Sequence, residues 1–538
     1  MRKNISITYR LLSAVLLWAA LPASAQSWLD YDQALARYPL LHTSNAAALT
    51  TYTPSDSTQH LLGDARLTVG TGQGHLLGPD VSPHAWTTEA QVRSIYRMSQ
   101  RVVVSGLMHY NYSWGSKSGG SVWIAPERMP FDITETNDTT LGNMSVETYR
   151  LMGDVGVDIG GGVSLGGRFG YTTASGAKRK DPRHTNTLMR CEGSVGAIWQ
   201  TGAVTLGANY LAERSTEALK FSTVGRTDQI YHYLIDHGAY FGREESTDGN
   251  GYVGTSNEHP LLDIKHGVAI LGDYRRGTWE WGLEGQWRHR HGHYGLESPS
   301  LIDFNRHHGD EWNLKAWGRH DDGSSVQRFG AYYSHHNLKD YERTYRIITA
   351  QGVTDVNYYD DRLMSDNGMS AICFSGEAQW GIKRELATWT LQATVQHNWR
   401  SITASVYPFY RQQKSHLTEV GLRGERNWLT SGDHIWSLML MAGWGGGDGT
   451  AVRDGAYQTP DADASAPSDY LTYRMRDFEH LTASRLHCGA RARWSQPIAR
   501  HSMRLYVEAL YIYSQAFDIH YLQDGYRQQA ALSIGCQF

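Results

Sequence analysis

Seven of the chain's 25 histidines fall in three short clusters. His289, His291 and His293 end one apolar-patterned segment, His307 and His308 precede the next, and His335 with His336 closes a third. Neutral imidazole binds zinc, copper, nickel and haem iron. Histidines meeting from three neighbouring segment ends are therefore candidates to hold a divalent metal or haem above a shared opening. Their spacing is not that of a structural zinc site, and no cysteine joins them. The competing expectation is a set of solvated side chains with no common target.

Other chemistry-bearing residues are more scattered. Ser334 and His335, with Asn337 close by, supply pieces of a nucleophilic constellation, but no Ser/His/carboxylate set at a workable spacing accompanies them. The reading is that the chain is not an enzyme. Cys191, Cys488 and Cys536 fall on apolar faces and Cys373 on a polar one, with no CxxC pair, so no disulfide is expected. Tyr231, Tyr233, Tyr240 and Tyr252 in one polar stretch, and Tyr358-Tyr359 in another, are placed to stack on sugars or on a partner protein.

The elements that carry these residues alternate with period two. From Val102 to Trp114 the residues Val102, Val104, Met108, Tyr110, Tyr112 and Trp114 share one face, and Ser105, His109, Asn111 and Ser113 the other. Alternate side chains of a strand point to opposite sides, so each segment has one apolar and one polar face. Short turns join Met189–Trp199 to Val204–Tyr210, Val268–Tyr274 to Trp279–Trp287, and Trp312–His320 to Val326–His335. Much longer polar stretches separate the hairpins: Ser116–Asn143, Ser215–Leu262, Asn337–Gly368 and Gly447–Arg476. Aromatics mark both strand ends, with Trp199, Tyr274, Trp279, Trp380, Trp389, Trp428 and Trp494 beside short turns. Tyr112, Trp114, Tyr171, Tyr210, Trp287, Trp399, Trp444 and Tyr513 lie opposite. Indole and phenol rings settle at the headgroup level of a bilayer.

This pattern predicts an all-β fold: an antiparallel transmembrane β-barrel with short periplasmic turns and long extracellular loops. Counting segments, with strands opening near Val268, Trp312, Ile372 and Leu481 among them, gives 18 strands, with 14 or 16 also compatible. A soluble β-sandwich or propeller leaves the unequal loops and doubled aromatic bands unexplained. Leu165, Leu206, Ile270, Leu391 and Leu505 should meet lipid, and Gly166, Thr205 and Gln392 the lumen.

The lumen face carries both signs: Glu89, Arg93, Arg168, Glu192, Glu280, Glu284, Arg288, Glu377, Glu419, Arg423, Arg491, Arg493, Arg504 and Glu508. These charges either form a polar route for solute or pair across neighbouring strands. A mixed set argues against a strongly ion-selective pore. Overall, 50 basic against 54 acidic side chains leave a net charge of −4, which removes the basic face a nucleic-acid binder needs. With 11% aromatics the chain is not a disordered tail, and with four cysteines it is not a disulfide scaffold.

The N-terminus divides from the rest. Arg2, Lys3 and Arg10 precede the apolar run Leu11 to Leu21, and Ala23-Ser24-Ala25 forms an A-x-A cleavage signal, so residues 1–25 read as a signal peptide. Residues 26–60 read as a short periplasmic segment lining or partly occluding the mouth, and 61–538 as the barrel. In the last strand Ala530, Leu532, Ile534, Cys536 and Phe538 alternate with polar neighbours, and the sequence closes on the aromatic.

Signal, strand rhythm and terminal Phe538 together resemble bacterial outer-membrane proteins. The resemblance implies location in the outer membrane, contact with its lipid, and recognition of the Phe538 strand by the barrel-assembly machinery. The long Gly- and Trp-rich strands look most like outer-membrane barrels of Bacteroidota. Ser44-Asn45-Ala46-Ala47-Ala48-Leu49 is similar to the stretch opening fatty-acid-transport-type barrels, with Ala46 where that family has Pro. The expected function is to admit or bind a solute at the cell surface. A non-conducting module docking a surface lipoprotein or transporter is the alternative, and metal or haem capture by the loop histidines a second one.

Overall fold

The computed structural model describes residues 30–53, 61–224, 229–255, 258–298, 301–350, 353–384, 386–498 and 503–538. Residues 1–25, expected from the sequence to be a signal peptide, lie outside these residues. The wall opens with β1 (Leu61–Gln73), β2 (His84–Arg97) and β3 (Val102–Ser118). Two short strands, β4 (Gly120–Ser121) and β5 (Asp132–Glu135), belong to the following loop. The wall resumes with β6 (Gly142–Gly160), β7 (Val163–Lys178), β8 (Arg183–Thr201) and β9 (Val204–Ser222). A second loop holds β10 (His232–Asp236) and β11 (Gly242–Ser246). Then come β12 (His259–Arg276), β13 (Trp279–Ser298), β14 (Leu301–Asp321), β15 (Ser325–Ala350) and β16 (Val353–Trp380). Next are β17 (Trp389–Val406), β18 (Phe409–Leu429) and β19 (Ile435–Ala456). The chain ends with β20 (Arg485–Pro497), β21 (Arg504–Ala516) and β22 (Tyr526–Gln537).

Eighteen of these strands form one antiparallel sheet, and β1 pairs with β22 to close it. Phe538 completes the seam: its N–H donates to Gly63 O at 3.0 Å and its carbonyl accepts from Gly63 N at 2.6 Å. The sheet is an inside-out fold. Its outward residues stay exposed in the free chain, with Ile270 at 67%, Val195 at 64%, Phe169 at 61% and Leu532 at 60%. Side chains so apolar and so uncovered require hydrocarbon, and Trp199, Tyr274, Trp279, Trp380 and Trp389 flank them at one edge, with Tyr210, Trp312 and Trp444 at the other. This is an outer-membrane β-barrel.

All 18 segments counted in the sequence are strands, but several begin earlier than expected. β12 starts at His259 rather than near Val268, β14 at Leu301 rather than Trp312, and β16 at Val353 rather than Ile372. The stretch Asn337–Gly368, read as a loop, is the upper half of a hairpin whose strands are 26 and 28 residues long. About 9–11 residues suffice to cross a bilayer, so this hairpin stands well above the membrane. Both its faces meet water there, which erases the polar–apolar contrast that marks a strand. The last error runs the other way. Leu481, taken as a strand start, ends a helix (Leu471–Thr482) of the β19–β20 loop.

The extracellular loops form a cap. β11, β10, β5 and β4 make a four-stranded sheet, and Ile133, Tyr233 and Ile235 from it, with Trp123, Phe131 and Tyr252 from its flanking loops, pack against Leu219, Phe221, Tyr294 and Phe304 of the wall. Ring centroids there are 4.9 Å apart for Tyr252 and Phe304 and 5.3 Å for Phe131 and Tyr294. The loop helix is tied in by Glu479, whose carboxylate accepts the N–H groups of His520, Tyr521 and Leu522.

At the other end residues 30–53 cross the barrel as a short helix (Tyr31–Leu35) and two 3₁₀ turns. Ser44 donates its N–H and hydroxyl to Glu284 of β13 at 2.8 and 2.6 Å. Asn45 Nδ2 donates to the carbonyls of Ala197 and Ala208 on β8 and β9, and Lys315 of β14 reaches His42 O. On the opposite wall Arg97 of β2 donates to Thr50 O, and Arg493 of β20 pairs with Asp30 at 2.9 Å. Gly166 of β7 allows this close fit, because a Cβ there would lie 2.0 Å from Ala47 N. Gly166 faces inward as expected, yet the position has no room for a side chain.

Candidate functional site

A lumen cavity of about 550 Å³ lies between the cap and the wall. Wall residues reach it from β15 (Ser334, His336), β16 (Asn367, Met369, Ala371), β17 (Asn398, Arg400, Ile402) and β18 (Ser415, Leu417). The cap supplies Asp80 from the β1–β2 loop, Glu127, Phe131 and Asp132 from the β3–β6 loop, and Asp236, His237 and Tyr240 from the β10–β11 turn. The loop helix adds Asp477. Gly238 in that turn has φ +132, and a Cβ on it would meet Ile402 Cγ2 at 2.4 Å. Glycine thus lets the turn lie directly on the wall.

The electrostatics of this chamber are lopsided. Asp132 and Asp236 stand directly opposite each other in the β5–β10 register. Burial pushes both carboxyls above the usual range, and Asp236 and Asp80 raise Asp132 further by their charge. Burial likewise raises Asp80 and Asp477, and the Asp477 charge adds to the shift of Asp80. Arg400 answers them, 3.7 Å from Asp477. His237 is 1% exposed. Its Nδ1 faces Asp340 Oδ2 at 3.4 Å, and its Nε2 has no hydrogen-bond partner among the described residues. An arrangement of this kind can hold a polar or charged small molecule by hydrogen bonds and ion pairs, with apolar contact from Phe131, Met369, Ile402 and Leu417.

The seven histidines singled out in the sequence do not converge above the lumen. His289, His291 and His293 keep the outward phase of Trp287, while His308 and His335 also face out. His308 stacks on Tyr341 at 5.2 Å, and His335 Nδ1 meets Ser370 Oγ at 2.7 Å. His307 and His336 face in: His307 is buried with Nε2 3.2 Å from Asp263 Oδ1, and His336 borders the chamber. A barrel wall separates the two groups. Outside, His266 joins His289 and His291 with ring centroids 5.8–5.9 Å apart. Among the described residues no group of three or more His, Cys, Asp or Glu side chains is arranged to hold a metal ion.

Strand alternation also dismantles Ser334-His335-Asn337, since Ser334 lines the chamber and His335 points outward. The loop tyrosines divide by role. Tyr233 and Tyr252 are cap core, Tyr358 lies under Arg343 at 3.5 Å, Tyr240 borders the chamber, and Tyr359 remains 68% exposed. The inward charges pair across strands, as with Arg168 and Asp154 at 2.8 Å, Arg150 and Glu192 at 3.0 Å, and Arg491 and Glu425 at 2.9 Å. The four cysteines are free. The chamber's own acids, Asp80, Asp132, Asp236 and Asp477, escaped the sequence reading. They sit in loops without periodicity, and only the register of β5 against β10 puts two of them face to face.

No curated protein matches the sequence. Among solved structures, BauA, the ferric preacinetobactin receptor from Acinetobacter baumannii, is 9% identical. That alignment covers 89% of this chain and 81% of the receptor, with a TM-score of 0.38. The ferric citrate transporter FecA in unliganded form is 9% identical over 88% of this chain and 78% of its own, at 0.39. The outer-membrane transporter YddB from Escherichia coli is 7% identical over 88% and 81%, also at 0.39. Residues 46–538 match the family of unknown function DUF6850, and the chain belongs to that family.

Proposed function

We propose that this barrel admits a small solute from the cell surface, holding it in the chamber under the cap before passage toward the periplasm. The observation that carries this reading is the chamber itself: about 550 Å³ of space lined by polar and charged groups from loops and wall. That size falls within the range of small-molecule sites, about 300–1,000 Å³. Elsewhere the lumen is crossed by protein, with residues 30–53 bonded to β2, β8, β9, β13, β14 and β20. A resting barrel so filled should conduct poorly, and passage requires the N-terminal segment to shift.

Planar-bilayer recording tests this. The full chain is expected to pass little current, and Glu284→Ala combined with Asn45→Ala to raise it. If the double variant stays silent and liposomes carrying it take up no small solute, the barrel is a surface scaffold instead. That second reading, docking of a lipoprotein or transporter on the loops, draws support from the projecting β15–β16 hairpin with its exposed Tyr359.

A further inference from the structure

We propose that the chamber selects an organic cation, a small amine or quaternary ammonium, placed between the facing Asp132 and Asp236, the neighbouring Asp80 and Asp477, and the Nε2 of His237, which has no hydrogen-bond partner among the described residues. This rests on the reading of the chamber as a solute site and names the class of solute.

The first ground is charge. Five carboxylates border the space (Asp80, Glu127, Asp132, Asp236, Asp477) against one guanidinium, Arg400, and the imidazoles of His237 and His336. His480 stands behind the Gly78–Asp80 turn. Like charges directly opposite in a sheet repel, and Asp132 and Asp236 are such a pair. Asp236 spends its oxygens on the turn, accepting from Gly238 N at 2.8 Å, Phe241 N at 3.0 Å and Tyr240 N at 3.2 Å. Asp132 accepts from the Ser121 hydroxyl at 2.6 Å. With no backbone N–H bonded to it in the way Gly238, Tyr240 and Phe241 bond Asp236, it is the better placed of the two to accept from a cation.

The second ground is His237. The carboxylate of Asp340 facing Nδ1 favours the tautomer with its proton there. Nε2 is then an acceptor with nothing to accept, and an ammonium N–H is the complementary donor. The third ground is shape. The space far exceeds one ion, no three of these side chains are arranged to ligate a metal, and Phe131, Tyr240, Met369 and Ile402 offer apolar contact to an alkyl body. Ring faces also attract alkylammonium groups.

Calorimetric titration of the full-length barrel in detergent, with putrescine and with choline, tests this against glucose and calcium chloride. At about pH 7.5 an amine should bind and glucose should not, with affinity falling toward about pH 4.5 as the carboxylates take up protons. Asp132→Asn keeps the Ser121 contact and should weaken amine binding about tenfold or more, as should Asp477→Asn. Calcium binding without amine binding overturns the proposal, and so does amine binding unchanged in Asp132→Asn. Uptake of glucose as well as the amines overturns the cation class while the solute chamber stands. Silence toward every probe overturns the class too, and the bilayer recordings then decide whether the chamber reading survives.

Discussion

At the extracellular end the lumen is closed by stacked rings: Trp123, Phe131, Tyr252, Tyr294 and Phe304 form a dry core between loops and wall. At the periplasmic end it is crossed by a segment that packs Tyr31, Leu40, Leu49, Tyr52 and the small Ala47 and Ala48 against the wall and is tied there by hydrogen bonds and ion pairs at Asp30, His42, Ser44, Asn45 and Thr50. Water competes poorly for the first kind of contact and well for the second. A net hydrogen bond is worth about 0.5–1.5 kcal/mol, whereas emptying a buried aromatic site costs about 3–5 kcal/mol. The segment's apolar grip is smaller than the cap's cluster of rings and is supplemented by polar ties, so of the two ends the N-terminal segment is expected to shift more readily.

The cap should show the largest effects. Trp123→Ala is expected to cost about 3–5 kcal/mol of local stability. Lys178→Met should cost a similar amount, about 3–5 kcal/mol, because it leaves Glu135 buried without its cation. Burial already pushes Glu135 up and Lys178 down, so neither tolerates isolation. Hydrogen exchange should quicken in β5 and β10 and remain slow in β12 and β17. Equal quickening in all four strands would erase the distinction between cap and wall.

In the wall, Ile270→Lys places a charge at mid-depth on the lipid face and should cost about 2–4 kcal/mol. Urea unfolding in vesicles measures this. A penalty no larger than that of Gln392→Lys would mean that the apolar belt has been put on the wrong side.

For the N-terminal segment, Asn45→Ala removes the donor to Ala197 and Ala208 and should cost about 1–2 kcal/mol. Proteolysis of residues 30–53 from the periplasmic side should increase while the heat-modifiable barrel on gels is unchanged. Gly166→Leu, by contrast, should expel the segment outright through collision with Ala47. If neither change alters protease access, the segment is as fixed as the cap.

Acidity should tighten the cap. Asp132 and Asp236 have folded pKa values above their unfolded ones, chiefly through burial, so the folded cap binds protons more tightly. Their contribution is complete below about pH 4 and is lost as pH rises through the raised values. Once the base catalysis of amide exchange itself is corrected for, the cap should therefore show less protection at about pH 8 than at about pH 5. A cap that loosens on acidification would place the dominant titrating groups elsewhere.

Much of this was legible in the sequence, for a reason that also explains the misses. Wherever one strand face meets lipid, as at Val163–Tyr171 or Val204–Tyr210, polarity alternates and the strand is plain. Above the membrane both faces meet water, so β12, β14 and β16 lost their upper ends and the β15–β16 hairpin passed for a loop. The inward pairs were foreseeable because opposite charges recur at the lumen phase. The chamber was not, since Asp80, Asp132, Asp236 and Asp477 lie far apart in sequence and meet only through the cap's fold.

The histidines give the smallest expected effect and test the parity argument most directly. His289, His291 and His293 share the phase of Trp287, an aromatic of the outer belt, so alternation alone assigns them to the outside. His307 and His336 have the opposite phase. Membership of one metal site would require the wall to be crossed, and the outer trio His266, His289 and His291 has ring spacings of 5.8–5.9 Å but no convergent set of donors. Zinc, copper and haem titrated into the full barrel should therefore bind no tighter than about millimolar, worth about 4 kcal/mol. Diethylpyrocarbonate should modify the exposed His291 and His308 while sparing His307 and His237, at 2% and 1% exposure. Tighter metal binding that disappears in His266→Ala with His291→Ala would show that the outer rings turn to meet a metal. Early modification of His307 would show that strand phase had been assigned backwards, and with it the inner and outer faces of β14.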